Sequence, residues 1–330
     1  MKIYHDSDVD INVLKGKTVA VLGYGSQGRA QALCFRDSGL DIIIGLRKGG
    51  KSWDKAKEDG FKVAEFADAV KGADVVMMLL PDEVQPKVYT ECVEPNIKKG
   101  AALEFAHGFA IIYKTIVPPK DVDVIMMAPK SPGDKERDIF VEGFGVPALV
   151  CVHQDYTGNA KNIALALAKG LGSTRAGVFE TTFENETLTD LFGEQAVLCG
   201  GATALINSGF KILTEAGYPP EMAYFEVCHE VKLIVDLINE GGFEKMWHVV
   251  SNTAEYGGLT KRDLVITKES EEGMKKILED IESGKFKDDW TAEWANDLKN
   301  LKAMEEKEKD LQIEITGRKI RTLFEKKKTN

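Results

Sequence analysis

A glycine-rich turn between an apolar run and a helical run constrains this chain more than any other segment. Residues 19–22 are apolar and partly β-branched, and they lead into Gly23-Tyr24-Gly25-Ser26-Gln27-Gly28. A helical stretch through residues 29–38 follows and stops at Gly39. In such a turn the first glycine permits a tight bend, the second lets backbone approach a diphosphate, and the third allows close packing of helix on strand. The phosphates then sit at the positive end of the helix. The pattern predicts a dinucleotide site built from Gly23, Tyr24, Gly25, Ser26, Gln27 and Gly28. Residues 41–45, 74–80, 101–105, 123–127 and 147–152 read as further buried strands with helical segments between them. That alternation predicts an α/β fold, an N-terminal Rossmann-like doubly wound parallel sheet with helices on both faces.

Beyond about residue 181 the pattern changes. Residues 185–213 and 221–240 read as long helices and 268–311 as several more, with almost no β-branched run before Ile313. The expected organisation is a dinucleotide-binding domain over 1–181 and an all-helical domain over 182–330.

A formal charge of -10 argues against nucleic-acid or anionic-membrane partners, which reward a basic surface. The lysines at 326–328 read as a short solvated tail. The five cysteines form no metal-ligand spacing or disulfide framework, so reduced thiols in a cytoplasmic protein are expected. The first ten residues lack a basic start and apolar run, so no signal peptide is expected. No uncharged apolar stretch is expected to reach the roughly 18 residues of a membrane helix.

The second strand runs into Gly45-Leu46-Arg47-Lys48-Gly49-Gly50-Lys51-Ser52. An NAD-binding strand usually ends in an acid that holds the ribose hydroxyls. Its absence, with Arg47, Lys51 and Ser52 available, favours a 2′-phosphate and hence NADP(H), with NAD(H) left open.

Glu186, Asp190 and Glu194 are spaced four apart, as are Glu226 and Glu230, which places each set on one helical face. Like charges at that spacing repel, and apolar neighbours suggest burial. A divalent cation neutralises buried carboxylates, and an all-oxygen shell suits Mg²⁺ better than Zn²⁺. Two acidic helix faces meeting water are the alternative. His107 and Lys130 each follow a strand, where doubly wound folds present ligand-facing residues. Ser251 reads equally well as a site residue or a helix cap.

Gly23-Tyr-Gly-Ser-Gln-Gly, Ala128-Pro-Lys, Glu180-Thr-Thr-Phe, the stretch from Thr189 to Gly201, Ala223-Tyr-Phe-Glu, the stretch from His229 to Asp236 and Ser251-Asn-Thr-Ala-Glu-Tyr-Gly together resemble the short form of the ketol-acid reductoisomerases. The resemblance implies a knotted helical C-terminal domain, a homodimer or larger assembly, and a site shared between subunits. It implies two Mg²⁺ ions, with Asp190 bridging them and Glu194 on one. Glu226, Glu230 and Ser251 would come from the partner chain, Ser251 toward substrate. Glu186 and Lys130 match the groups that relay protons, and His107 matches a histidine near the nicotinamide. Gly133, in the same loop as Lys130, is counted among the cofactor residues. The implied substrates are 2-acetolactate and 2-aceto-2-hydroxybutyrate. One departure is local: the family's Gly and His-Thr-Val-Arg are replaced in Lys130-Ser131-Pro-Gly-Asp-Lys-Glu-Arg137. The rival readings are a metal-independent 3-hydroxyacid dehydrogenase, which has no use for paired carboxylates, and a non-catalytic nucleotide sensor, which turnover of acetolactate would exclude.

Overall fold

The computed structural model describes residues 1–324; the lysines at 326–328 lie outside the described residues. The chain divides into two compact units, the first ending at Thr189 and the second starting at Asp190. In the first unit, strands β1 (Ile3–Tyr4), β2 (Thr18–Leu22), β3 (Asp41–Gly45), β4 (Lys62–Ala64), β5 (Val75–Met78), β6 (Ala102–Phe105), β7 (Asp123–Pro129), β8 (Ala148–Gln154) and β9 (Val178–Glu180) form one sheet. Their order is β1-β9-β8-β7-β6-β5-β2-β3-β4. Between them lie α1 (Ser26–Asp37), α2 (Lys51–Glu58), α3 (Phe66–Val70), α4 (Gln85–Val88), α5 (Phe109–Ile112), α6 (Gly133–Val141) and α7 (Ala160–Gly170).

The chain enters mid-sheet at β2, runs outward through β3 and β4, then returns to β5 on the other side. The order therefore reverses between β2 and β5, and the crevice outside the carboxyl ends of those strands is where such sheets bind ligands. Alternation along each strand feeds two cores. Val19 and Val21 of β2 join one layer with residues of α1 and α7, whereas Ala20 and Leu22 join the other, with residues of α3 and α5.

The sheet is not wholly parallel, which corrects the sequence expectation. β7 and β8 are antiparallel, as are β1 and β9. The cause is the α6 connection. Lys130 at the end of β7 donates its backbone N–H to Pro147 at the start of β8, 2.9 Å away, so the chain re-enters the sheet at the end it left. The short strands β1, β4 and β9 were also not expected; they offer two or three residues each and little apolar pattern.

The remaining helices are α8 (Phe183–Phe192), α9 (Gly200–Glu215), α10 (Pro220–Tyr224), α11 (Val231–Val249), α12 (Asn252–Val265), α13 (Lys268–Glu282), α14 (Lys285–Ala295), α15 (Lys299–Lys309) and α16 (Gln312–Phe324). Two π-helical turns interrupt this series, Gly193–Leu198 and Phe225–His229. α11 outruns the expected 221–240 and kinks at Gly241 and Gly242, the latter with φ of 71°. The helical stretch Phe183–Glu215 is long and apolar enough, by length and composition, to cross a membrane. That corrects the expectation that no segment approaches this length. Much of its apolar surface is exposed in the single chain, including Leu198, Leu205 and Ile212.

Two buried carboxyls in the first unit carry a cost. Burial pushes Glu104 on β6 up to about 8, against a hydrogen bond from Met127 N–H that favours the ionised form. Burial likewise pushes Glu136 on α6 up to about 8. Both groups stay protonated in the native protein over a pH range where the unfolded chain releases the proton, so stability falls as pH rises from about 4.5 to about 8. Glu104→Gln is expected to flatten that decline. Its Tm at pH 8 should exceed the parent's by on the order of 3 °C, with little difference at pH 4.5. Equal Tm differences at both pH values would contradict the assignment.

Candidate active site

Each glycine of the turn has its own physical reason. Gly23 has φ of 105°, and a Cβ there would lie 2.2 Å from the Leu79 carbonyl oxygen. A Cβ on Gly28 would lie 2.5 Å from the Gly23 carbonyl oxygen, so the helix can sit this close to the turn only without one. At Gly25 a Cβ would meet no protein atom within 4 Å. Packing does not require that glycine; it leaves open space above the first turn of α1. The backbone donors there have no side-chain cap, which is the arrangement that receives an anion.

A cleft of ≈ 530 Å³ opens at the switch point, lined by Gly23, Tyr24 and Gly25 on one side and Arg47, Lys51 and Ser52 on another. Lys51 and Ser52 stand in the first turn of α2, whose N-terminus also lacks a side-chain cap. Arg47 begins the turn that delivers the chain to this helix: Gly50 N–H donates to the Arg47 carbonyl at 3.1 Å, with Gly49 at φ of 71°. Trp53, Phe66, Leu80 and Pro81 also line it. Sequence reading missed them. Pro81 alone carried a usable signal, since it closely follows the strand that neighbours the fingerprint strand.

Gln27 donates from Nε2 to the Ser131 carbonyl at 2.8 Å, tying the turn to the loop after β7. Gly133 approaches the same region: a Cβ there would lie 2.4 Å from the Ser26 carbonyl oxygen. Within the first unit the structure thus brings the glycine turn and the Lys130 loop together.

The same sheet edge gathers His107, Lys130 and Glu186. His107 and Gly108 follow β6, Lys130 follows β7, and Glu186 lies on α8. Lys130 Nζ donates to Glu186 Oε1 at 2.8 Å. His107 Nδ1 lies 3.1 Å from Oε2, and Gly108 N–H donates to the same oxygen at 3.4 Å. A carboxylate only accepts, so Nδ1 carries the proton in this contact. α8 comes this close because residue 108 is glycine; a Cβ there would lie 2.2 Å from Thr187 Oγ1. Burial of Glu186 raises its pKa, but the hydrogen bond and charge of His107 and the charge and hydrogen bond of Lys130 outweigh it and hold the carboxyl below the usual range. The result is an ionised, nearly inaccessible carboxylate between two polar side chains.

The remaining candidates lie on the helical series. Asp190 is four residues beyond Glu186 on α8, but Glu194 falls in the first π-helical turn. Glu226 falls in the second, and Glu230 ends it. The even α-helical spacing expected for these carboxylates is therefore altered at Glu194 and Glu226. π-turns of this kind occur frequently at functional sites. Among the described residues, no cluster of three or more potential metal-ligating side chains includes Glu226 or Glu230. Ser251 is the N-cap of α12; its hydroxyl accepts from Ala254 N–H at 3.2 Å.

A cleft beside the glycine turn and a carboxylate held beyond the carboxyl ends of β6 and β7 are the layout in which nucleotide-dependent oxidoreductases bind cofactor and substrate. Residues 13–177 match the family model described as the NADPH-binding domain of acetohydroxy acid isomeroreductase, and residues 183–326 match the C-terminal domain of ketol-acid reductoisomerase. A Methanococcus maripaludis protein named ketol-acid reductoisomerase (NADP(+)) is 55% identical over 98% of both chains. One of that name from Methanobrevibacter smithii is 56% identical over 97% of both. A solved NADH-preferring ketol-acid reductoisomerase from an uncultured archaeon superposes with a TM-score of 0.95 at 52% identity, covering 99% of this chain and 100% of that one. The chain belongs to the ketol-acid reductoisomerase family.

The glycines of the turn divide between folding and proposed binding roles. Gly25→Ala should leave the Tm within about 1 °C of the parent and weaken NADPH binding by about tenfold or more. Gly23→Ala should instead lower the Tm by several degrees, because its clash is with backbone. A destabilised Gly25→Ala with normal NADPH affinity would contradict this reading.

Proposed function

We propose that the chain converts 2-acetolactate to 2,3-dihydroxyisovalerate, and 2-aceto-2-hydroxybutyrate to 2,3-dihydroxy-3-methylvalerate, in branched-chain amino-acid synthesis. The observation that carries the reading is the ionised Glu186 held between Lys130 and His107 at the edge of a dinucleotide-binding sheet. Such a carboxylate can take the substrate's hydroxyl proton as the alkyl group migrates. Lys130, hydrogen-bonded to it, keeps its charge balanced and offers a proton donor to a developing alkoxide. His107, whose Nδ1 meets the same carboxylate, is assigned to the nicotinamide side. A pocket that admits acetolactate discriminates weakly against one additional methylene, which supports both substrates.

The open space above Gly25 and the uncapped start of α2 beside Lys51 and Ser52 fit a nucleotide with a 2′-phosphate. We therefore favour NADP(H). NAD(H) is the alternative, favoured by the preference of the archaeal homologue. Asp190, Glu194, Glu226 and Glu230 provide only hard oxygen donors, which fit two Mg²⁺ ions. When bound, Mg²⁺ supplies Lewis acidity and the reduced nicotinamide supplies a hydride. Ser251 is read as a substrate contact, and Gly133 as part of the cofactor's surroundings.

Glu226, Glu230 and Ser251 are assigned to a partner subunit's contribution. The small core of the second unit, around Phe210, Tyr224 and Ile320, supports an assembly, as do the exposed Leu198, Leu205 and Ile212. The site of action is read as the cytoplasm.

The test is turnover of 2-acetolactate, followed by NADPH oxidation with Mg²⁺ and with a chelator. Activity should require Mg²⁺, and Asp190→Asn should retain less than about a tenth of it. Mg²⁺-independent turnover, or a robust Asp190→Asn enzyme, would sink the metal assignment. In the same assay, exchanging subunits between inactive Asp190→Asn and Glu230→Gln should restore roughly a quarter of the sites. No recovery after verified exchange would place all ligands in one chain.

A further inference from the structure

Asp59 follows the last residue of α2, far along the helix from the residues that face the cleft, yet it is among the most heavily engaged side chains of the first unit. Its carboxylate accepts from the phenol of Tyr24 at 2.9 Å and from Arg29 Nε at 2.7 Å, and Arg29 Nη2 reaches the second oxygen at 3.2 Å. Lys55 Nζ lies 3.3 Å from that oxygen. Arg36 Nη1 donates to the Asp59 carbonyl at 2.5 Å, fixing the backbone as well. The Tyr24 ring stacks edge-on against Phe61 with centroids 5.9 Å apart, and Arg36 covers the other ring at 5.2 Å.

Two of these partners belong to the glycine turn and the helix it opens. Tyr24 sits between the first two glycines of the turn and lines the cleft, and Arg29 lies in the first turns of α1. Asp59, in turn, terminates the helix whose opposite end presents Lys51 and Ser52 to the cleft. An α-helix of this length is a rigid strut, so fixing one end relative to the glycine turn fixes the other. A carboxylate receiving a forked guanidinium and a phenol gives a directional tie that an uncharged residue cannot reproduce.

Resting on the NADP(H) reading above, we propose that Asp59 is a cofactor-positioning residue: it ties the glycine turn to the far end of α2 and so sets the separation between the diphosphate cradle and the residues that meet the 2′-phosphate. Asp59 touches neither nucleotide nor substrate in this account. It acts through Tyr24 and Arg29 on one side and through α2 on the other. The Arg29 hydrogen bond, with Tyr24 and Lys55 adding to it, holds the carboxyl down to about 2, so the tie is ionised throughout the working pH range.

The test compares Asp59→Asn, Asp59→Glu and Tyr24→Phe with the parent enzyme. NADPH and NADH dissociation constants are measured by nucleotide fluorescence without substrate. KM and kcat for each nucleotide are measured with 2-acetolactate and Mg²⁺. Asp59→Asn should raise the Kd and KM for NADPH by about tenfold and those for NADH by less, with kcat within about twofold. Asp59→Glu should recover part of the loss, and Tyr24→Phe should show about a threefold weakening for NADPH. A merely structural role predicts a lower Tm and fewer active sites with unchanged Kd and KM, and that outcome would overturn the proposal. An equal loss for both nucleotides would also overturn it, because the α2 lever should act on the 2′-phosphate. If Asp59→Asn does not fold, Tyr24→Phe decides, since it leaves the Arg29 pair intact; unchanged NADPH affinity there rejects the tie. If the parent enzyme binds NADPH no better than NADH, the 2′-phosphate reading itself fails and this inference falls with it.

Discussion

The buried carboxylate of Glu186 is the interaction on which the described site depends. It takes hydrogen bonds from residues that follow two different strands, β6 and β7, and it stands on α8. Removing a partner from the buried Glu186 carboxylate would leave its charge less well compensated, although solvent screens the exposed Lys130 side of the pair. The positions of His107, Lys130 and α8 are therefore mutually determined. Gly108 makes the arrangement possible by leaving room for Thr187. In the proposed reaction a base with few alternative positions would already be placed, which is where much of the benefit of orientation arises.

The cleft beside the glycine turn, proposed to hold the nucleotide, opens at the same end of the sheet, and the two features are joined by short, specific contacts. Gln27 holds Ser131, one residue beyond Lys130, and Gly133 fits against Ser26. The glycine turn and the lysine loop thus pack directly on one another. The proposed reaction needs hydride donor and proton relay aligned on one small substrate, and a common scaffold for turn and loop suits that need.

The parallel heart of the sheet was legible because its strands are continuous apolar runs bounded by glycine or proline, and the glycine turn announced its own context. The reversal at β8 was not legible. Residues 148–154 look equally strand-like in either direction, and only the path of the α6 connection determines which is used. The grouping of His107, Lys130 and Glu186 could not come from spacing either, since they lie on three separate elements; family resemblance supplied their roles and the fold supplies their contacts. The helical periodicity misjudged the carboxylates at Glu194 and Glu226, because a π-turn is a local insertion into a helix with no residue signature of its own. Asp59 escaped notice for a related reason. At the end of an amphipathic helix it reads as ordinary surface charge, and its meaning comes from Tyr24 and Arg29 in another part of the chain.

The most direct test of the account is the turnover of Glu186→Gln at saturating NADPH, Mg²⁺ and 2-acetolactate. The amide keeps the shape of the side chain and one acceptor oxygen while removing the negative charge that takes the proton. A loss of about 10²-fold or more in kcat, with normal folding and unchanged NADPH affinity, is the result predicted here. A kcat within about tenfold of the parent's would contradict it, since an ionised Glu186 would then be a packing feature and the proton relay would have to be sought elsewhere.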